Sequence, residues 1–197
     1  YLSDIHSVTL GCLLKSSKEE ANLAEFRQHM PQLEVFVQPL VIARTPISLL
    51  KSYLAGVPLN IYRNQSAGFN QAVTTLAEDF DAIFVDHYLM FQYVPEDYHG
   101  RIVVHQHNAE FLIWPRFAKL TVSPLMKAMV SLEAKRTKKY EVAMCRRVDI
   151  VLAAPNDRDE LVAAGAPAGK FIDTFHLGDE KNLILPDIHF DKTSKSL

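Results

Sequence analysis

The sequence predicts an α/β fold in which helices doubly wind an open parallel sheet. Two observations carry this. Short runs of β-branched and apolar residues alternate with longer amphipathic segments, which is the order of β-α-β units. Three of these runs, residues 81–87, 101–107 and 149–154, have nearly all-apolar centres. Strands of that kind belong inside a parallel sheet, buried on both faces. With 197 residues, 48% hydrophobic and 22% charged, the chain suffices for one packed domain of ordinary globular composition.

The elements follow in order. Residues 5–14, "IHSVTLGCLL", read as a strand with no helical period. Ser16 or Ser17 can cap the next helix; Glu19 and Glu20 stand in its first turn, Leu23, Phe26 and Met30 share a face, and Pro31 ends it. "LEVFVQPLV" is a second strand, and helical patterns cover residues 47–55 and 66–80. The strands 81–87 and 101–107 come next. The longest helix spans residues 123–147, with Leu125, Met129, Leu132, Arg136, Tyr140 and Ala143 along one face. Strands over 149–154 and 170–178 complete a domain of residues 1–180, and residues 181–197 lose periodicity and read as a tail or linker.

Composition removes several function classes. A formal net charge of −2 gives no general attraction to nucleic acid. No apolar run reaches the ~18 residues of a membrane span. No signal-peptide pattern is found. Cys12 and Cys145 are too few for a disulfide framework and read as buried free thiols, which suits a reducing, cytoplasmic compartment. G-x-G-x-x-G, G-x-x-x-x-G-K-[ST] and G-x-S-x-G are all missing from the chain.

In an open parallel sheet the ligand crevice lies beyond the carboxyl ends of the strands. Three such ends are polar: Asp86 and His87; then His105, Gln106, His107, Asn108 and Glu110; then Asn156, Asp157 and Asp159. Asp157 and Asp159 stand where a helix begins and are expected to cap it. Asp86 can cap the short helix after its strand, and His105 still belongs to the strand and is expected to pack. His107, Asn108 and Glu110 follow the apolar run, where a site and a structural role are equally open. A sharper alternative is a metal-dependent hydrolase. His105-x-His107 puts two imidazoles on one strand face, as zinc sites do, and Asp86, His87 or His176 can complete the set. Residues 116–147 hold nine Lys or Arg against Glu133 and Glu141. That is a solvated helix face, or a patch for anionic headgroups or a phosphorylated substrate.

Several stretches occur in a known order: "YLAGVPLNIYR", "DAIFVDHYLMFQYVP", "VVHQHNAEFLIWPRFA", "KKYEVAMCRRVDIVLAAPNDRDEL" and "HLGD". Together they resemble bacterial glycosyltransferases of the GT-B type, in particular the retaining enzymes of capsule, exopolysaccharide and lipopolysaccharide assembly. The likeness covers roughly residues 1–180. It implies one Rossmann-like half of a GT-B architecture, the acceptor-binding N-terminal domain, inactive alone. The family's first strand and glycine-rich loop would precede Tyr1. The donor-binding domain, with its E-x7-E-like stretch, would follow Leu197. On this likeness His107 is the catalytic cleft histidine, and Asp86, His87, Asn108, Glu110 and Arg116 bind substrate. Tyr140 and Glu141 match a "YE" pair with a structural role. The implied partners are a nucleotide-sugar donor, bound mainly by the other domain, and a glycan or lipid-linked acceptor. No metal or other cofactor is expected. The compartment is cytoplasmic, with peripheral contact at the inner membrane face through Lys135, Arg136, Lys138 and Lys139. A non-catalytic sugar- or lipid-binding module remains a third reading of the same residues.

Overall fold

A computed structural model describes residues 2–42, 45–120 and 123–175. The chain begins with α1 (Leu2–Ile5), β1 (Thr9–Leu14), α2 (Ser17–His29) and β2 (Glu34–Pro39). Three helices follow, α3 (Pro46–Leu54), α4 (Leu59–Arg63) and α5 (Ala67–Ala77), leading to β3 (Ala82–Asp86). A 3-10 turn (Tyr88–Tyr93) connects to β4 (Arg101–Gln106), and a second one (Glu110–Leu112) to α6 (Ile113–Leu120) and α7 (Pro124–Arg147). The chain continues through β5 (Ile150–Ala153), α8 (Pro155–Ala163), a third 3-10 turn (Ala168–Lys170) and β6 (Phe171–Asp173).

The described strands pair in parallel, β1 with β2 in one sheet and β3-β4-β5-β6 in another. This is the Rossmann-like, doubly wound α/β class that the sequence predicts. The helix starts obey local chemistry. Ser16, Thr45, Ser66 and Ser123 each accept the backbone N–H three residues on. Proline stands in the first turn of α3, α7 and α8, where its missing N–H costs nothing.

Two expectations need correction. The strands of the larger sheet are not buried on both faces. Val85, Ile102, Val104, Val151 and Ala153 point into the core, where Met144, Cys145, Val148 and Leu161 cover them. On the opposite face Phe84 is 56% exposed and Ile172 53%. The strand order follows the chain order, so right-handed crossovers carry α7 and α8 to the same side. The buried face of α7 is also not the apolar one. Val130, Glu133, Thr137, Glu141, Met144 and Cys145 are buried, whereas Leu125 and Leu132 are exposed. Three polar side chains occupy the inward stripe, which hid it from a reading based on apolar spacing.

The remaining differences are short. The first strand begins at Thr9, residues 6–8 have no regular structure, and Ile5 ends α1. The last described strand ends at Asp173; the rest of the predicted strand from residue 176 on, and the tail 181–197, lie outside the described residues. Both cysteines are free. Burial pushes the Cys145 thiol up to about 12.

The inward stripe of α7 sets unequal costs for two truncations. Met144→Ala is expected to destabilise by about 2–5 kcal/mol, because its side chain is fully buried. Leu125→Ala, on the predicted but exposed face, should stay within about 0.5 kcal/mol. Denaturant unfolding of the two variants checks the contrast.

Candidate functional site

The site begins with strand register. Asp86, the last residue of β3, lies beside His105 of β4. His105 Nδ1 is 3.0 Å from Asp86 Oδ1, and His107 Nε2 is 2.7 Å from the same oxygen. The two imidazole rings are 4.6 Å apart between centroids. Partial burial of Asp86 opposes its charge. The hydrogen bonds from His107 and His105, and their positive charge when protonated, outweigh it and hold the carboxyl below its ordinary range.

His87 turns the chain away from β3. Its φ of 76° is the one positive φ of a non-glycine residue described. A backbone of this kind costs about 1–3 kcal/mol and must be held from outside. Its backbone N–H donates to His105 O at 3.0 Å. Its ring Nδ1 accepts from Leu89 N at 3.4 Å, which turns Nε2 toward Glu110 Oε1 at 3.5 Å. The ring meets that of His107 edge-on at 5.2 Å. Asp86, His87, His107 and Glu110 thus form one connected cluster.

The loop after β4 is clamped from below. Glu141 of α7 is fully buried. Its Oε1 accepts from Gln106 Nε2 and, at 2.9 Å, from Glu110 N; its Oε2 accepts from Phe111 N at 2.9 Å. Asp157 Oδ1 accepts from Ala109 N at 2.6 Å, and Gln106 Nε2 donates to Asn108 O at 2.7 Å. Four consecutive residues, Asn108 to Phe111, are therefore fixed through their backbones. Burial, reinforced by the negative charges of Glu110 and Asp157, pushes the Glu141 pKa up to about 8 against the donation from Glu110 and Phe111.

The predicted residues fall into place unevenly. Asp86, His87, His107 and Glu110 come together. Asn108 lies exposed beside them on the clamped loop. Arg116 is exposed on α6, and no described interaction links it to the cluster. A groove of about 180 Å³ adjoins Glu110 and is lined by Asn60, Ile113, Trp114 and Phe117. Asp86 does not cap the following turn; the His87 ring does, because Asp86 faces the histidines. His105 is not a core residue but lies on the open sheet face against Asp86. Asp157 does not cap α8, whose cap residue Ala154 has no side-chain bond; it serves Ala109 instead. Asp159 pairs with Arg158 at 2.9 Å. Gln106 and Asp157 are the supporting residues that the sequence reading missed. The available signal was alternation: a polar residue at 106 has the same parity as the buried Ile102 and Val104.

The basic segment also divides. Arg136 is turned inward. It donates to Glu133 at 3.1 Å, to Ser52 O at 2.6 Å and to Val57 O, and it covers the Tyr53 ring. Lys135, Lys138, Lys139 and Arg146 line a groove of about 370 Å³ on the outer side of α7. Among the described residues no helix is long and apolar enough to cross a membrane. Comparison with known proteins finds no family model and no curated protein that matches the sequence.

Glu141 makes two outcomes measurable. Glu141→Ala leaves three N–H donors without their acceptor and should cost roughly 3 kcal/mol or more. Because its folded pKa stands above the ordinary 4.5, the folded chain holds an extra proton between about pH 4.5 and about 8. Its stabilising contribution is complete below that window and declines as pH rises through it. Denaturant midpoints taken across the window should show this decline in the native chain and not in Glu141→Gln.

Proposed function

We propose that the chain is the acceptor-side domain of a two-domain glycosyltransferase, a retaining GT-B enzyme of bacterial polysaccharide assembly. The observation that carries this reading is the cluster at the ends of β3 and β4. Asp86, His87, His107 and Glu110 gather carboxylate and imidazole groups there, and Glu110 also lines the groove whose wall holds Trp114 and Phe117. Such a wall suits a sugar, with hydroxyls for the polar groups and apolar ring faces for the aromatic ones. The position beyond the carboxyl ends of parallel strands is where α/β sheets bind ligands.

On this reading His107 orients or relays the proton of the acceptor hydroxyl, and Asp86 orients its ring. Glu110 and His87 hold neighbouring hydroxyls. The nucleotide-sugar is bound mainly by a second domain, which neutralises the leaving diphosphate. A glycan or lipid-linked acceptor approaches along the groove beside α6. Peripheral membrane contact is assigned to Lys135, Lys138 and Lys139 together with Arg146, which shares their groove. Arg136 leaves that set because its guanidinium serves internal acceptors.

In the two-domain enzyme, His107→Ala should lower sugar transfer by about 10²- to 10⁴-fold, as loss of a proton-transfer group does, while the fold persists. Transfer of labelled sugar from the nucleotide-sugar to the acceptor measures this, and a folded variant with unchanged turnover removes the role. The chain alone should transfer nothing. It should still show saccharide-dependent NMR shifts at His107 and Glu110.

The basic groove is tested separately on vesicles containing anionic lipid. Binding should weaken with salt and fall in the Lys135→Gln, Lys138→Gln, Lys139→Gln triple variant. Arg136→Gln should instead lower stability, by about 3 kcal/mol, since it breaks a buried pair.

A further inference from the structure

We infer that Asp86, His105 and His107 form a binding site for one divalent transition-metal cation of the zinc class. The ligand atoms of these three residues lie within 4.8 Å of one another. Both imidazole nitrogens already face the same carboxylate oxygen, at 3.0 and 2.7 Å. Ligands around tetrahedral zinc stand about 3.3 Å apart, given bonds of about 2.0–2.1 Å. A cation that replaced the protons between them would widen the two N···O separations by roughly half an ångström or less, with the imidazole nitrogens, within 4.8 Å of each other, closing around it.

The scaffold favours this use. Asp86 and His105 sit side by side on adjacent strands, and His107 projects two residues further along. The residues after it are held through their backbones by Gln106, Glu141 and Asp157. The side chains of Asp86, His105 and His107 are 65, 24 and 35% exposed, so an ion can enter and a chelator can remove it. Two imidazoles and one carboxylate suit zinc and neighbouring first-row cations more than magnesium or calcium. Three protein ligands leave a coordination position for water or for an oxygen atom of a bound compound. The inference does not rest on sugar transfer, since it needs only the three ligand atoms.

The test uses the chain freed of metal with EDTA and titrated calorimetrically with ZnCl2. A parallel Co2+ titration is read in the visible spectrum. One equivalent per chain is expected. His105→Ala, His107→Ala and Asp86→Asn should each weaken binding at least about tenfold, no less than loss of an outer-shell partner does. His99→Ala, an exposed histidine elsewhere, should bind as the native chain does. Circular dichroism confirms each fold. Should either alanine variant fail to fold, Asp86→Asn, which keeps the size and one oxygen, carries the comparison. Absence of stoichiometric uptake by the native chain overturns the inference. So does uptake unchanged in Asp86→Asn, or lost equally in His99→Ala.

Discussion

The buried carboxylate of Glu141 is the constraint on which the candidate site depends. A loop leaving a sheet carries backbone N–H groups into the interior, and each must find an acceptor. Here Glu110 N and Phe111 N find it in one side chain, and Gln106 binds the same group. A neutral hydrogen-bond acceptor of the same size would serve fewer donors. The carboxylate serves all three, at the cost of burying a group that burial itself drives toward protonation.

The same helix repeats the device two turns earlier. Glu133 is buried, accepts from Leu59 N and pairs with Arg136, which reaches Ser52 O and Val57 O. The inward stripe of α7 therefore holds two backbone segments: the α3–α4 junction and the exit of β4. Between the two glutamates lies Thr137, also buried. Packing alone positions a helix with some freedom to slide. Paired acceptors at fixed separations along one helix define its register against both segments. That is the physical reason the loop bearing His107 and Glu110 can be rigid while its side chains stay accessible.

Much of the fold was legible because it follows local rules. Serine and threonine caps, prolines in first turns and short β-branched runs each express a backbone preference of a few residues. The polarity of the strand ends was legible too, and it led to Asp86, His87, His107 and Glu110. What was hidden is long-range. The inward face of α7 escapes apolar spacing because Glu133 and Glu141 accept from backbone and side-chain donors 30 to 74 residues away, with Thr137 buried between them. The roles of Asp86 and Asp157 were misassigned for the same reason. A nearby helix start offered each a local partner, and the strand register and loop path supplied a distant one. Two-sided burial was expected from apolar runs, but it depends on which face the crossovers take.

The segment His105-Gln106-His107 shows how one short sequence can serve both structure and chemistry. Successive residues of a strand point to opposite sides. Gln106 points inward with Ile102 and Val104 and ties the loop to Glu141. His105 and His107 point outward, where Asp86 reaches both. The inward amide keeps the loop in place, and the outward imidazoles inherit that position without being buried themselves. Had the register slipped by one residue, a single imidazole would meet Glu141 and the amide would face solvent. The crowding of polar groups at the end of this strand is thus an ordered alternation. Every second group anchors the backbone, and the others are left at the surface, where a ligand can reach them.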